Sequence, residues 1–350
     1  MIFKKINIAI IGLGYVGLPL AVEFAKKFNV IGYDYDKNRI KDLNQNYDKN
    51  HDVSLSKIIK ANNLKFTTDI NYLKDSNVYI ITVPTPIFKN KKPNLNLIKQ
   101  ACKTISKFIK KNDVIILEST VYPGVTEEVI APFIEKNSDL KFNKDFFLGY
   151  SPERINPNDK KNNLTNIIKI TSGSNRSTAH FVDNLYKSII KVGTKKVSSI
   201  RIAEAAKVIE NTQRDINIAF MNELVLIFNK LNLNTSEVLN AASTKWNFLN
   251  FTPGLVGGHC IGVDPYYLSY KSKIHGYSPT IINAGRKIND NFPKYIANKA
   301  INEMKKVKPN SSFKFLIMGI SFKENCNDFR NSKSIEFFKI LKKRGIKNDC

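Results

Sequence analysis

Apolar and polar positions follow two periodicities along the chain. Short runs that are almost wholly apolar and rich in β-branched residues recur at 6–11, 30–33, 78–83 and 114–118. Runs of this length, bounded by turn residues, mark strands buried on both faces of a sheet. Helical patterning follows the first run as far as Lys27 and returns around 97–110. The alternation predicts an α/β fold with a parallel, doubly wound sheet. From 199 to 231 neither proline nor glycine interrupts the chain, which predicts one helix well beyond the usual length. Glu204, Lys207, Asn211 and Arg214 recur along it at spacings of three and four, and Ile202, Ala206, Ile209 and Ile216 supply apolar contacts. A stripe of this kind either faces solvent or lines a site. Lys308-Pro309-Asn310 reads as a boundary, after which a new apolar strand at 313–318 and a helix at 332–343 begin another α/β unit.

The loops between these elements carry the chemistry. The first strand runs into Gly12-Leu-Gly14-Tyr15-Val16-Gly17, and the second ends in Asp34. Gly12 allows a tight turn, Gly14 lets the backbone approach a pyrophosphate, and Gly17 permits close packing of helix on strand. Asp34 can accept hydrogen bonds from a ribose diol. The motif in this setting predicts a dinucleotide site, and the carboxylate favours NAD over NADP by repelling a 2′-phosphate. Thr85, between two prolines, and Thr120 lie where the third and fourth apolar runs end, the edge at which open α/β sheets bind ligands. Glu153 and Arg154 follow another short apolar run in the same way, either as site residues or as an exposed ion pair.

Cys260 stands between Gly258 and Gly262, with Asp264 four residues on. Small neighbours let backbone N–H groups and a substrate reach the sulfur, which suits a nucleophile; a structural cysteine in a turn is the alternative. A free thiol titrates near ~8.5 and needs a cation or backbone donors to be held as thiolate at neutral pH. Lys207 and Asn211, one helical turn apart, are groups able to orient an alcohol and stabilise an oxyanion.

Composition narrows the classes. The chain has 350 residues, 42% hydrophobic and 24% charged, with a formal charge of +25, enough for two or three globular domains. The lysines are dispersed and mixed with asparagine and isoleucine, as in the product of an AT-rich genome, so neither nucleic acid nor membrane is expected as a partner. Cys102, Cys260, Cys326 and Cys350 are scattered, no metal-ligand spacing appears, and no run approaches the ~18 apolar residues of a membrane span. A reducing cytoplasm is the expected compartment.

Taken together the motifs resemble the UDP-glucose/GDP-mannose dehydrogenase family, over the whole chain and in order. The segments Ser151–Arg154, Glu210–Asp215, Pro253–Tyr267 and Ser321–Arg330 are most similar to its UDP-N-acetylglucosamine and UDP-N-acetylgalactosamine 6-dehydrogenase branch of polysaccharide pathways. The resemblance implies an N-terminal Rossmann domain at 1–198, a central long-helix all-α domain at 199–307 that forms a homodimer, and the start of a second Rossmann-like domain at 308–350. It implies oxidation of a sugar C6 alcohol to the carboxylate with two NAD. Cys260 would form a thiohemiacetal and then a thioester. Lys207 and Asn211 would stabilise the alkoxide, Thr120 and Asp264 would order water and proton transfer, and Glu153 would serve late steps. The cofactor would lie on Gly12, Gly14, Tyr15, Val16, Gly17, Asp34, Arg39, Thr85, Thr120 and Arg330. The UDP-sugar would meet Glu153, Arg154, Lys207, Asn211, Gly257 and Lys323. Family members continue for several more strands, so the expectation is an incomplete uridine-diphosphate pocket after one strand and one helix. A weakly active or inactive NAD-binding relative, a UDP-glucose 6-dehydrogenase, a β-hydroxyacid dehydrogenase and a polyanion-binding protein stand as alternatives.

Overall fold

The first apolar run forms strand β1 (Asn7–Ile11) and feeds helix α1 (Gly17–Ala25) and strand β2 (Asn29–Tyr33). β1 and β2 pair in parallel from Asn7↔Asn29 to Ile11↔Tyr33. There follow α2 (Lys37–Asn44), α3 (Leu55–Ile59), β3 (Leu64–Thr67), β4 (Val78–Ile81), α4 (Asn96–Ile105), β5 (Val114–Leu117), α5 (Ala131–Lys136), β6 (Phe147–Tyr150), β7 (Lys169–Gly173), α6 (Arg176–Lys187) and β8 (Thr194–Lys196). The computed structural model describes residues 5–50, 53–155, 163–309, 313–321 and 329–349. Among them the chain divides into two units, Met1–Val208 and Ile209–Cys350.

In the first unit eight described strands form one sheet in the order β3-β2-β1-β4-β5-β6-β7-β8. All four residues of β4 and all four of β5 are buried, as the centre of a sheet covered on both faces requires. Phe24 of α1 meets Tyr186 of α6 edge to face with centroids 5.6 Å apart, and each such buried large side chain contributes about 1.5–3 kcal/mol. The parallel expectation holds from β3 through β6. Beyond them β7 runs antiparallel to β6, pairing Gly149↔Gly173 and Tyr150↔Ser172, and β8 is parallel to β7. A parallel neighbour needs a crossover back to the opposite sheet edge, whereas β7 returns alongside β6.

Helix α7 (Ile200–Lys230) has 31 residues. Its polar stripe differs from the sequence pattern. Glu204 and Lys207 are buried and Arg214 is exposed, while Ile202 and Ile209, expected as apolar contacts, are 49% and 53% exposed. The cause lies far along the chain: Glu204 accepts from the Gly124 N–H at 2.5 Å, the Thr126 N–H at 2.9 Å and the Thr126 hydroxyl at 2.7 Å. It thereby caps a π-helical turn at Val125–Ile130.

The second unit continues with α8 (Thr235–Ala242), α9 (Asp264–Ile274), α10 (Thr280–Val307), β9 (Lys314–Leu316), α11 (Lys333–Lys343) and β10 (Lys347–Asp349). β10 pairs in parallel with β9, a second strand that the reading of 308–350 as one strand and one helix lacks. Leu341 of α11 is buried against Ala297 and Ile301 of α10, with Phe313, Phe315 and Phe337 around them. Leu316 and Met318 stay 71% and 88% exposed. Of the six non-glycine residues with left-handed φ among those described, five are asparagines: Asn46, Asn112, Asn143, Asn232 and Asn331. No helix among the described residues is long and apolar enough to cross a membrane.

Candidate active site

The glycine turn after β1 is built by collision. At Gly17 a Cβ would lie 1.9 Å from the Gly12 carbonyl oxygen, so only glycine lets α1 start there. Gly12 holds φ at +99°, and a Cβ on it would press against Val83 and Thr82 at 3.2–3.3 Å. At Gly14 a Cβ would meet nothing within 4 Å, so the turn offers bare backbone to open space beside the start of a helix. Val16 is buried and Tyr15 half-buried beside it. Asp34, past the end of β2, accepts from the Leu13 N–H at 2.8 Å and from the Asp36 N–H at 3.0 Å. Arg39 donates to the Leu13 carbonyl at 2.9 Å and to Asp48 at 2.7 Å, which makes it a brace for the turn. An open glycine turn, a helix start and a tethered carboxylate are the donor set a dinucleotide requires. Thr85 and Thr120 lie half-buried in the loops after β4 and β5. The Ser119 hydroxyl donates to the Val83 carbonyl at 2.6 Å and ties those loops together.

Beyond β5 and β6 the same edge holds buried charge. Glu153 does not pair with Arg154. Its carboxylate lies 3.6 Å from the Lys169 ammonium and accepts from the Ile155 N–H, while Arg154 donates to the Ile168 carbonyl at 2.9 Å. Lys169 contacts Glu118 more closely, at 2.5 Å, and the Tyr186 hydroxyl also donates to Glu118. Burial raises the Glu118 pKa most strongly and Glu153 adds to the rise, against the opposing pull of Lys169. Glu118, Lys169 and Tyr186 escaped the sequence reading. Their signals were a glutamate closing an apolar strand and a lysine inside the run Ile167-Ile168-Lys169-Ile170.

In the second unit Cys260 is half-buried in the turn that leads into α9. Its carbonyl accepts from the Asp264 N–H at 2.9 Å. The Asp264 carboxylate is buried and accepts from the Asn211 amide at 2.6 Å, which brings these two expected residues together. The loop is held from both sides. Asn222 makes two bonds to the backbone of Gly254, at 2.8 and 3.0 Å. Asn331 exchanges bonds with Gly258 at 3.3 and 3.4 Å. Gly257 is needed where the chain passes Asn331, because a Cβ would sit 2.8 Å from its carbonyl oxygen. Arg330 is exposed next to Asn331; Lys323 lies outside the described residues.

Asn222 also donates to Asn289 at 2.8 Å, and Asn289 donates to Asp215 at 2.7 Å. Arg286 bridges Asp215 and Asp290 at 2.5 Å each, Lys333 reaches Asp290 at 3.1 Å, and the Tyr266 hydroxyl donates to Asp290. Burial works against the Arg286 charge, but Asp215 and Asp290 outweigh it and raise its pKa. Burial and then Asp290 push the Tyr266 pKa up to about 12. Sequence reading passed over this network, whose bonded pairs lie up to 74 residues apart.

Comparison with known proteins agrees along the chain. Residues 6–190 match the NAD binding domain of the UDP-glucose/GDP-mannose dehydrogenase family, 201–291 its central domain, and 316–350 its UDP binding domain. The chain is 51% identical over 347 residues to a UDP-N-acetyl-D-glucosamine 6-dehydrogenase of Pseudomonas aeruginosa, covering 99% of this chain and 82% of that one. It is 53% identical to a Salmonella typhi protein of the same name, covering 99% and 81%. The solved structure of a UDP-D-ManNAc dehydrogenase from Pyrococcus horikoshii superposes with a TM-score of 0.89 at 32% identity, covering 98% of this chain and 82% of that one. With its glycine turn and its cysteine loop, the chain belongs to the UDP-glucose/GDP-mannose dehydrogenase family, the NAD-dependent oxidoreductases of nucleotide sugars.

Proposed function

We propose that the chain oxidises the C6 alcohol of a UDP-N-acetylhexosamine to the uronic acid through a covalent intermediate on Cys260. UDP-N-acetylglucosamine is the preferred substrate, supported by two relatives above 50% identity that carry that name. The observation that carries the mechanism is the half-buried Cys260 in its clamped loop, with Asp264 held by Asn211. The glycine turn and Asp34 would hold NAD, which would supply the acceptor for each of the two hydrides lost from C6. An aldehyde is a poor hydride donor until it is tetrahedral, so the Cys260 sulfur adds to C6 and forms a thiohemiacetal. Lys207 and Asn211 stabilise the oxygen anion by charge and N–H donation. Departure of the second hydride leaves a thioester. A water ordered by Thr120 and Asp264 attacks its carbonyl, the C–S bond breaks, and the acid leaves with the thiol restored. Glu153 handles protons in these late steps. Arg154, Gly257 and Lys323 contact the UDP-sugar. Tyr15, Val16, Asp34, Arg39, Thr85 and Arg330 belong with the glycines to the cofactor.

Residues 1–198 serve as the cofactor domain, 199–307 as the catalytic and dimerising segment, and 308–350 as part of the nucleotide-binding domain, in a cytoplasmic enzyme. Exposed Ile202, Ile209, Phe220 and Ile227 along α7 support a homodimer through that helix. Phe220→Glu should shift the sedimentation equilibrium toward monomer, and an unshifted dimer would place the interface elsewhere.

The mechanism is tested by Cys260→Ser with UDP-N-acetylglucosamine. Acid formation should fall on the order of a thousandfold or more, with NAD affinity unchanged. Turnover close to the parent's would remove the covalent step. The same assay with UDP-N-acetylgalactosamine and UDP-glucose ranks the sugars.

A further inference from the structure

Glu118, Glu153, Lys169 and Tyr186 come from four places in the first unit: the end of β5, the loop after β6, β7 and α6. All four are buried, with Glu118 fully and Lys169 nearly so. Two carboxylates thus share one ammonium away from water. Three ionised groups would leave one uncompensated negative charge there, which a buried site resists by retaining a proton. The distances divide the lysine unequally. It lies 2.5 Å from Glu118, which also has the Tyr186 hydroxyl, and 3.6 Å from Glu153. The Lys169 ammonium further lies 5.2 Å from the centroid of the Tyr186 ring, so it is confined on a second side. The neighbouring Ser151 hydroxyl and Arg154 guanidinium are committed to the carbonyls of Ile170 and Ile168, leaving Lys169 as the cation that Glu153 faces.

We propose that Glu118, Lys169 and Tyr186 are positioning residues for Glu153, a buried counter-ion assembly that fixes its carboxyl and sets the pH at which it exchanges a proton. This rests on the assignment of Glu153 to the late proton steps. The ammonium favours Glu153 ionised, whereas Glu118 competes for that ammonium and opposes ionisation. Removing one or the other therefore moves Glu153 in opposite directions, a result that a purely structural role does not produce.

The test is a 13C NMR titration of the Glu153 side-chain carboxyl in the full chain, with the pH profile of turnover alongside. Lys169→Met should move the Glu153 titration upward by roughly one to three pH units, and Glu118→Gln should move it downward by about one. Lys169→Arg should return it most of the way. Glu118→Gln is nearly isosteric and leaves the lysine beside a neutral amide, so it decides the matter alone should Lys169→Met not fold. A Glu153 titration that stays put in Glu118→Gln overturns the proposal. Glu153→Gln separates the two readings. If it abolishes a limb of the pH profile while the other variants leave that limb in place, only the counter-ion assembly is wrong. If it leaves the profile intact, Glu153 has no late proton role and both readings fall.

Discussion

Each unit of the molecule buries a set of charges, and the two sets are composed differently. In the first, two carboxylates share a single lysine. In the second, Asp215 and Asp290 face Arg286 and Lys333, and Asn289 donates two further bonds to Asp215. Lys333 is shared with Glu336 at 2.7 Å, and this set, with a cation on each of its aspartates, fastens α7, α9, α10 and α11 around the cysteine loop. The first set has one ammonium between two buried carboxylates, one of them Glu153. What differs is how the cations are shared: each aspartate of the second set has a guanidinium contact at 2.5 Å, whereas Glu153 is left with the far side of a lysine held by Glu118.

The sharpest way to break the comparison is Arg286→Met. It strips the buried Asp215 and the half-buried Asp290 of their main partner and should cost about 3–5 kcal/mol, read as a fall in the urea midpoint followed by circular dichroism. A midpoint unchanged within error would mean that solvent already reaches the network. Glu204 extends the comparison to a carboxylate held by neutral donors. Burial raises its pKa to about 7 against the bonds from Thr126 and Gly124. The folded state therefore holds this proton more tightly than the unfolded chain. Its contribution to stability is largest below pH ~4.5 and is lost as pH rises toward ~7, on the order of 3 kcal/mol in all. Glu204→Gln should flatten that decline, and melting curves at pH 5 and pH 7.5 that keep the parent's slope would refute the shift. The smallest expected effect is in Lys169→Met combined with Glu118→Gln, a pair without buried charge in the first unit. It should fold within about 1 kcal/mol of the parent while its late-step turnover suffers. A double variant as unstable as Lys169→Met alone would show that the assembly also supports the fold.

The elements that follow from local pattern were legible in the sequence. β4 and β5 read as strands because every position is apolar, and α7 is visible from the absence of glycine and proline across its length. The direction of β7 and the face of α7 were not legible. Glu204 looks like a solvated residue beside Lys207 until Gly124 and Thr126, about 80 residues earlier, are placed against it. Both charge sets join residues that no helical or strand period connects, such as Glu118 with Lys169, 51 positions apart. The glycine turn and the Cys260 loop were readable because their spacing is contiguous. The clamps on that loop, Asn222 and Asn331, were not.

The left-handed asparagines show that this backbone turns without relying on glycine alone; the chain has 16 glycines in 350 residues, below the usual ~7%. Asparagine is among the residues least penalised in left-handed φ. Asn46 and Asn232, just beyond α2 and α7, occupy helix ends where glycine is the common choice. Gly17 and Gly257 cannot be exchanged in this way, because each faces a backbone oxygen close to where a Cβ would have to be. Sterics therefore divide the left-handed and close-packed positions of this fold into those needing only a conformation, which asparagine can supply, and those needing an absent atom, which only glycine can.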